Sequence, residues 1–173
     1  NDNYEALIEL AADNEAEINK CLEDIANLNA EVSLLNSKQT SELWSKREEI
    51  PVKLADLNAY KLDICVPIKN LKSYLDEIYK IDLDKEVYCF GHLGDGNVHV
   101  NIVSDTNLEE LKSKIYELTI SLNGSPSAEH GIGQRKKHIW ADFSHYSGKL
   151  KLLKSLKESM DPNNILCPKV FFD

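Results

Sequence analysis

Two periods run along this chain, one near 3.6 residues and one of two, and the switches between them mark its elements. Tyr4 to Ala11 (YEALIELA) reads as a strand, with the opening of a helix as the alternative because Glu and Ala dilute the β signal. Asp13-Asn14-Glu15 then makes an N-cap region, and Ile18, Cys21, Leu22, Ile25 and Leu28 follow at helical spacing. Glu31 to Asn36 (EVSLLN) is a short apolar run that can return as a second strand. Thr40 or Ser41 caps a helix carrying Leu43, Trp44 and Arg47, which Pro51 interrupts or ends. From Tyr60 to Pro67 the chain alternates, with Leu62, Ile64 and Val66 set against Lys61, Asp63 and Cys65, the pattern of a half-buried strand. Pro67 opens an amphipathic helix with Ile68, Leu71, Leu75 and Ile78 on one face. A hairpin follows, then a helix over Asn107 to Leu122 with Leu108, Leu111, Ile115 and Leu118 inward. Asn123 to Gly133 (NGSPSAEHGIG) is rich in Gly, Ser and Pro and reads as a loop. Helical residues resume through Trp140, break near Asp142 to Gly148, and run again to about Met160 with Leu150, Leu153 and Leu156 inward. Asp161-Pro162-Asn163-Asn164 stops that helix, and the apolar tail ILCPKVFFD reads as docked. This order predicts an α+β fold rather than a doubly wound sheet: a ferredoxin-like sandwich, two related units sharing one antiparallel sheet, with C-terminal helices.

The hairpin carries the chemistry. Tyr88 to Ile102 reads YCFGHLGDGNVHVNI, with the turn signal Gly94-Asp95-Gly96-Asn97 between an apolar run and an alternating one. If those four residues form the loop, Leu93 faces Val98 and His92 faces His99. Directly opposed residues share a sheet face with Cβ atoms about 5 Å apart, close enough for two imidazoles to share one divalent cation. Asn101, two residues past His99, lies on the same face, while Val98, Val100 and Ile102 point to the core. The plainer alternative is two histidines that cap a turn.

Length and charge narrow the rest. The 173 residues make one domain, or two small intimate ones, with enough chain for a sizeable core. A net charge of -9 argues against nucleic-acid binding, which needs a basic face. The balance turns basic between Gln134 and Lys157, which suits an anionic ligand or, more simply, a solvated helix face. No run approaches the ~20 apolar residues of a membrane span, and no leader pattern opens the chain, so it reads as soluble and cytoplasmic, with attachment to a membrane surface left open. Cys21, Cys65, Cys89 and Cys167 show no CxxC spacing. Cys65 and Cys89 fall in apolar runs and read as small buried residues in a reducing compartment.

Beyond the hairpin, the loop supplies Glu129 and His130. His92, His99 and Glu129 form a two-nitrogen, one-carboxylate set of the kind that holds catalytic zinc or manganese, provided the loop folds over the hairpin face. His130 is then a candidate general base beside a metal-bound hydroxyl. Taken alone, Glu129 reads first as an acid favoured by the dipole of the helix that starts near Gly133, and only beside the two histidines does the ligand reading lead. Arg47 and Lys61 suit a substrate carboxylate, or are ordinary surface charges.

These residues carry a resemblance. GHLGDGNVHVNI is similar to the GHxGDGNLHxNI motif, and NGSPSAEHGIGQRKKHIW to the GGSISGEHGIGxxKxxxL motif, of the C-terminal domain of FAD-linked oxidases. That family includes D-lactate dehydrogenase, the FAD subunit of glycolate oxidase and D-2-hydroxyglutarate dehydrogenase. LWSKREEIP, YKLDICVP and MDPNNILCPKVFF resemble further family blocks in the same order, so the resemblance covers nearly all of residues 1–173. It implies a domain that caps a separate N-terminal FAD-binding domain, with a D-2-hydroxy acid oxidised between them. By the same resemblance His92, His99 and Glu129 hold the divalent metal, Zn or Mn, and His130 takes the hydroxyl proton. Asn101 lines the site, Arg47 and Lys61 grip the substrate, and the hydride passes to flavin N5.

Departures from the pattern matter. Where 2-hydroxyglutarate is the substrate, the residue four after the Arg is a Thr that helps bind it; here it is Pro51, which has no hydroxyl, and this favours a D-lactate or glycolate type of substrate. The usual ILNPGK tail, whose Asn lies near the flavin, is here ILCPKV, with Cys167 for the Asn and the Gly lost. SISGEHG has become SPSAEHG, so Ala128 alters the loop. No Gly-rich pyrophosphate loop is present, so the expectation is the C-terminal part of a longer polypeptide, inactive by itself, with FAD held mainly by an N-terminal domain absent from these residues. The rival reading is a flavin-less remnant that binds metal or ligand without catalysis. Which hydroxy acid is used is left open, as is formation of a homodimer.

Overall fold

Short polar signals ahead of the apolar stripes set where the first helices begin. The computed structural model describes residues 5–28, 30–82, 84, 86–142 and 147–170, and the chain divides into two compact units, 1–49 and 50–173. In the first, helix α1 spans Glu15–Ala26. The Asn14 side chain accepts from the Glu17 N–H at 3.0 Å and donates back to its carboxylate at 2.8 Å, closing the first turn from both sides. Helix α2, Ser37–Asp56, begins earlier than Thr40 or Ser41. Its start is a reciprocal box, in which Asn36 Oδ1 accepts from the Gln39 N–H and Gln39 Oε1 from the Asn36 N–H, both at 3.0 Å. Pro51 neither interrupts nor ends α2 but lies inside it. Having no N–H, it withholds the usual helical donor from the Arg47 carbonyl.

The two strands expected in this unit do not form. Residues 5–12 and 31–36 take no regular structure, and Leu7, Ile8, Val32 and Leu34 are exposed; Tyr4 lies outside the described residues. A strand needs a neighbour for its N–H and C=O groups, and the three strands of the sheet all lie in the other unit.

That unit holds β1 (Tyr60–Cys65), α3 (Ile68–Ile81), β2 (Val87–His92), β3 (Asn97–Ile102), α4 (Leu108–Ser121), α5 (Gly133–Asp142) and α6 (Ser147–Met160). The sheet order is β1-β3-β2, antiparallel throughout, with Ile64 opposite Val98 and Leu62 opposite Val100. The fold is α+β. Alternation splits the sheet cleanly. Leu62, Ile64, Val87, Val98, Val100 and Ile102 join Leu71, Tyr74 and Ile78 of α3 and Leu111, Ile115 and Tyr116 of α4 in one core. At its centre the Tyr74 hydroxyl meets Thr119 Oγ1 at 3.1 Å, and Thr119 donates its own proton to the Ile115 carbonyl at 2.7 Å, so both of these hydroxyls are satisfied, whereas the buried Tyr116 hydroxyl has no hydrogen-bond partner. Tyr74, not Ile68, completes the inward face of α3, because Ile68 sits on the exposed first turn. Leu156 is likewise exposed, although Leu150 and Leu153 are half-buried. The expected break before α6 falls in part on residues 143–146, which lie outside the described residues; the expected docking of the tail does not hold at Ile165, Leu166 and Cys167, which are exposed, and at 171–173 it too lies outside the described residues.

Cys65 and Cys89 are half-buried, Cys21 and Cys167 exposed, and all four are free thiols. Among the described residues no helix is long and apolar enough to cross a membrane.

The turn after α6 depends on one carboxylate. Asp161 accepts the Ile165 and Leu166 N–H groups, each at 2.9 Å, and the Lys157 ammonium. The Lys157 hydrogen bond and those backbone donors outweigh burial and hold its carboxyl down to about 2. A carboxyl depressed in the folded chain contributes stability above its unfolded pKa of about 4 and loses it as pH falls through the folded value. Hydrogen exchange at the Ile165 and Leu166 amides is therefore expected to stay protected down to about pH 4 and to accelerate beyond the intrinsic rate change between there and about 2. Unchanged protection across that window would show that the turn does not rest on Asp161.

Candidate site on the polar face of the sheet

The turn between β2 and β3 sets which side chains meet. It is a 3-10 turn, Leu93–Asp95, closed by Gly96 in the left-handed conformation at φ 72. Asp95 Oδ1 accepts the Asn97 N–H at 2.9 Å, which starts β3 at Asn97. The loop is thus residues 93–96, one position earlier than Gly94 to Asn97. His92 consequently pairs with Asn97, and Phe90 pairs with His99. The expected opposition of His92 and His99 is corrected by this register. A ladder shift of two keeps every side chain on its face, so both histidines still lie on the polar side, His92 diagonal to His99. The Phe90 ring instead faces the His99 imidazole, with centroids 5.1 Å apart.

Across the same face run Lys61, Asp63 and Cys65 of β1, opposite Asn101, His99 and Asn97. Asn101 is buried and its amide donates to the carbonyls of His99 at 3.1 Å and Tyr88 at 3.4 Å. Asn97 is buried too, and its carboxamide has no hydrogen-bond partner. Lys61 and His92 are exposed.

The loop carrying Glu129 and His130 is stitched onto the free edge of β1. Cys65 and Ser125 exchange backbone hydrogen bonds at 3.1 and 2.7 Å, and the Ala128 N–H reaches the Asp63 carbonyl at 3.1 Å. Gly124 permits this approach, since a Cβ there would lie 2.7 Å from the Cys65 carbonyl oxygen. Asp63 gathers the rest. Its side chain is 8% exposed; Oδ2 accepts the N–H groups of Glu129 at 2.9 Å and His130 at 3.3 Å and lies 3.4 Å from His130 Nδ1. Oδ1 lies 3.5 Å from His99 Nδ1 and has no hydrogen bond. Burial pushes the Asp63 carboxyl up, but the two backbone donors and the charges of His130 and His99 prevail and hold it below the usual carboxylate range. Lys136 of α5 feels that carboxylate, although burial dominates and lowers its own ammonium.

The structure thus brings His99, His130 and the Glu129 backbone to one carboxylate, with Asn101, Lys61 and His92 on the same sheet face. The Glu129 and His130 side chains are exposed. Among the described residues no three His, Cys, Asp or Glu side chains stand close enough together to hold a metal ion. Cys167 is exposed in the tail, where it and Lys169 both take left-handed backbone, φ 47 and 69. Such a backbone suits Gly or Asn, the residues absent from ILCPKV. Arg47 lies on α2 in the first unit. No motif singles out Asp63 in the sequence. Its only signal was a carboxylate on the polar side of an alternating strand, beside Lys61.

An α+β domain with this polar face and these motifs is defined by its relatives. Residues 1–170 match the family FAD linked oxidases, C-terminal domain, and the chain belongs to it. It is 39% identical over 139 residues to a protein of Oryza sativa subsp. indica, and 36% identical over 141 residues to one of Bos taurus, both named for mitochondrial D-2-hydroxyglutarate dehydrogenase. A Schizosaccharomyces pombe protein named for D-lactate dehydrogenase is 35% identical over 151 residues. These alignments take in 75–77% of this chain but only 24–28% of the relatives, so the chain spans about a quarter of their length.

Proposed function

We propose that this chain is the substrate- and metal-binding part of a FAD-dependent dehydrogenase that oxidises a D-2-hydroxy acid to the 2-oxo acid. The observation that carries it is the meeting of His99 and the loop bearing Glu129 and His130 at Asp63, on the polar face of the sheet. His92, His99 and Glu129 would hold a divalent metal, Zn or Mn. The fit is one of chemistry and side: two imidazoles on one face, a carboxylate from the adjoining loop, and a buried carboxamide, Asn97, left without a partner. His92 and Glu129 are exposed, so rotation of their side chains is what would close the set. A bound metal supplies Lewis acidity that lowers the pKa of a coordinated hydroxyl.

His130 would take the hydroxyl proton, since a neutral imidazole carries a lone pair able to accept one. Lys61 and Asn101, opposite one another on β1 and β3, would hold the substrate's oxygen atoms. Arg47 is proposed as a carboxylate anchor on the resemblance alone, and Cys167 as a flavin-contacting residue on the same ground, since it stands where the family has an Asn near the flavin. FAD, when bound by the domain that precedes this one in the family, supplies the two-electron acceptor. The βαββα order of β1, α3, β2, β3 and α4, with Ser125 bridging to the outer edge of β1, supports a ferredoxin-like plan for the second unit.

Pro51 favours D-lactate or glycolate, because it offers no hydroxyl for a second carboxylate. The names of the relatives favour D-2-hydroxyglutarate. Anaerobic mixing of the natural flavin-loaded polypeptide with each acid in turn decides, read by bleaching of the flavin. Bleaching by one D-2-hydroxy acid, lost in His130→Ala, is expected; no bleaching by any of the three would overturn the reading.

A further inference from the structure

We infer that Asp63 is a positioning residue that fixes the tautomer of two histidines at once, keeping the proton on Nδ1 of both His99 and His130 and leaving each Nε2 lone pair free. The inference rests on the roles proposed above for those imidazoles, and it concerns a residue that those roles do not include.

The geometry is specific to the nitrogen. In both rings it is Nδ1 that faces the carboxylate, at 3.5 Å from Oδ1 for His99 and 3.4 Å from Oδ2 for His130. A neutral imidazole has one donor and one acceptor nitrogen, and the group that one nitrogen meets decides which is which. A carboxylate can only accept, so it selects Nδ1–H. The demand is strongest at Oδ1, which is buried with no hydrogen bond to satisfy it, a costly state that the neighbouring Nδ1–H of His99 would relieve by closing a few tenths of an ångström. Oδ2 is already occupied by the Glu129 and His130 backbone N–H groups, and these place the His130 ring over the same oxygen. One buried carboxylate, held by β1, thus reaches the neighbouring strand through His99 and the loop through His130. The consequence is functional: Nε2 of His99 is presented as a lone pair to a metal, and Nε2 of His130 as a base to a hydroxyl, the arrangement a carboxylate partner gives a ligating or catalytic histidine.

A purely structural Asp63 would tie down the loop by its backbone bonds and leave the tautomers to solvent. Nitrogen-15 spectra of the histidine side chains separate the two cases, recorded on this chain free of metal and substrate at a pH where the rings are neutral. In the wild type, His99 and His130 are expected to show a protonated Nδ1 and an unprotonated Nε2, whereas exposed His138, which has no such carboxylate among the described residues, serves as the reference. In Asp63→Asn, which keeps the size and one acceptor oxygen for the backbone bonds, both rings are expected to move toward the Nε2–H form. Wild-type rings in the Nε2–H form would overturn the inference without need of any variant, as would tautomers unchanged in a folded Asp63→Asn. Because neither metal, flavin nor substrate enters the measurement, a failure of the dehydrogenase reading leaves its outcome intact, and the converse also holds.

Discussion

Replacing His99 with Ala is expected to weaken zinc binding by at least roughly a hundredfold, the upper end of what loss of a supporting partner alone costs a metal site. His99 is the most constrained of the three proposed ligands. It sits in the middle strand of the sheet, opposite Asp63 on one side and Phe90 on the other, and its ring is held between them. His92 and Glu129 are exposed and must give up side-chain freedom to reach a metal. Removing the one preorganised donor therefore costs more than its share of a three-ligand set. Calorimetric titration of the wild type, His99→Ala and His138→Ala with zinc chloride reads the effect, the last being an exposed histidine of α5 with no part in the site. Equal affinity in wild type and His99→Ala would place the metal elsewhere.

Gly96→Ala is expected to destabilise the second unit by roughly 3 kcal/mol, from a left-handed backbone that costs an L-residue about 1–2 kcal/mol and a clash that cannot be relieved by side-chain motion. A Cβ at Gly96 would lie 2.1 Å from the Val66 carbonyl oxygen, and that approach is what lets the Gly96 carbonyl accept the Val66 N–H at 3.0 Å. The contact pins the β2–β3 turn to the end of β1, so its loss also loosens the register that sets His92 and His99 on one face. Gly94, two residues earlier in the same turn, has nothing within 4 Å of a built Cβ, and Gly94→Ala is expected to cost less than about 1 kcal/mol. Urea unfolding of the two variants side by side measures the difference. Equal midpoints would mean the turn is not pinned as the geometry indicates.

Much of the scaffold follows from local signals. The alternation of Lys61, Asp63 and Cys65 against Leu62, Ile64 and Val66 placed β1 and both its faces, because period two admits no other burial once one side packs on helices. The stripes of α3 and α4 were legible for the same reason at period 3.6, apart from Ile68, which is exposed, and from Tyr74, Tyr116 and Thr119, which are buried at positions the simplest stripe omits. The polar side of the hairpin was right even with the loop misplaced by one residue, since the resulting shift of two preserves the face. What failed were the strands expected at Tyr4 to Ala11 and Glu31 to Asn36. Their composition allowed pairing, but composition cannot supply a neighbour.

The sequence by itself thus determined the family and the polar and apolar sides of the sheet, and it put His92, His99, Glu129 and His130 forward as the candidates proposed here. Side-chain periodicity and motif residues are properties of adjacent positions, and those survive without a fold. The tertiary structure decided that the turn closes at Gly96, that Phe90 rather than His92 fronts His99, and that the loop docks on β1. It alone revealed Asp63, buried between two imidazoles that follow it by 36 and 67 positions. Contacts at such separations are fixed by strand pairing and by the close approach of Gly124 to the β1 edge, and no local pattern encodes them.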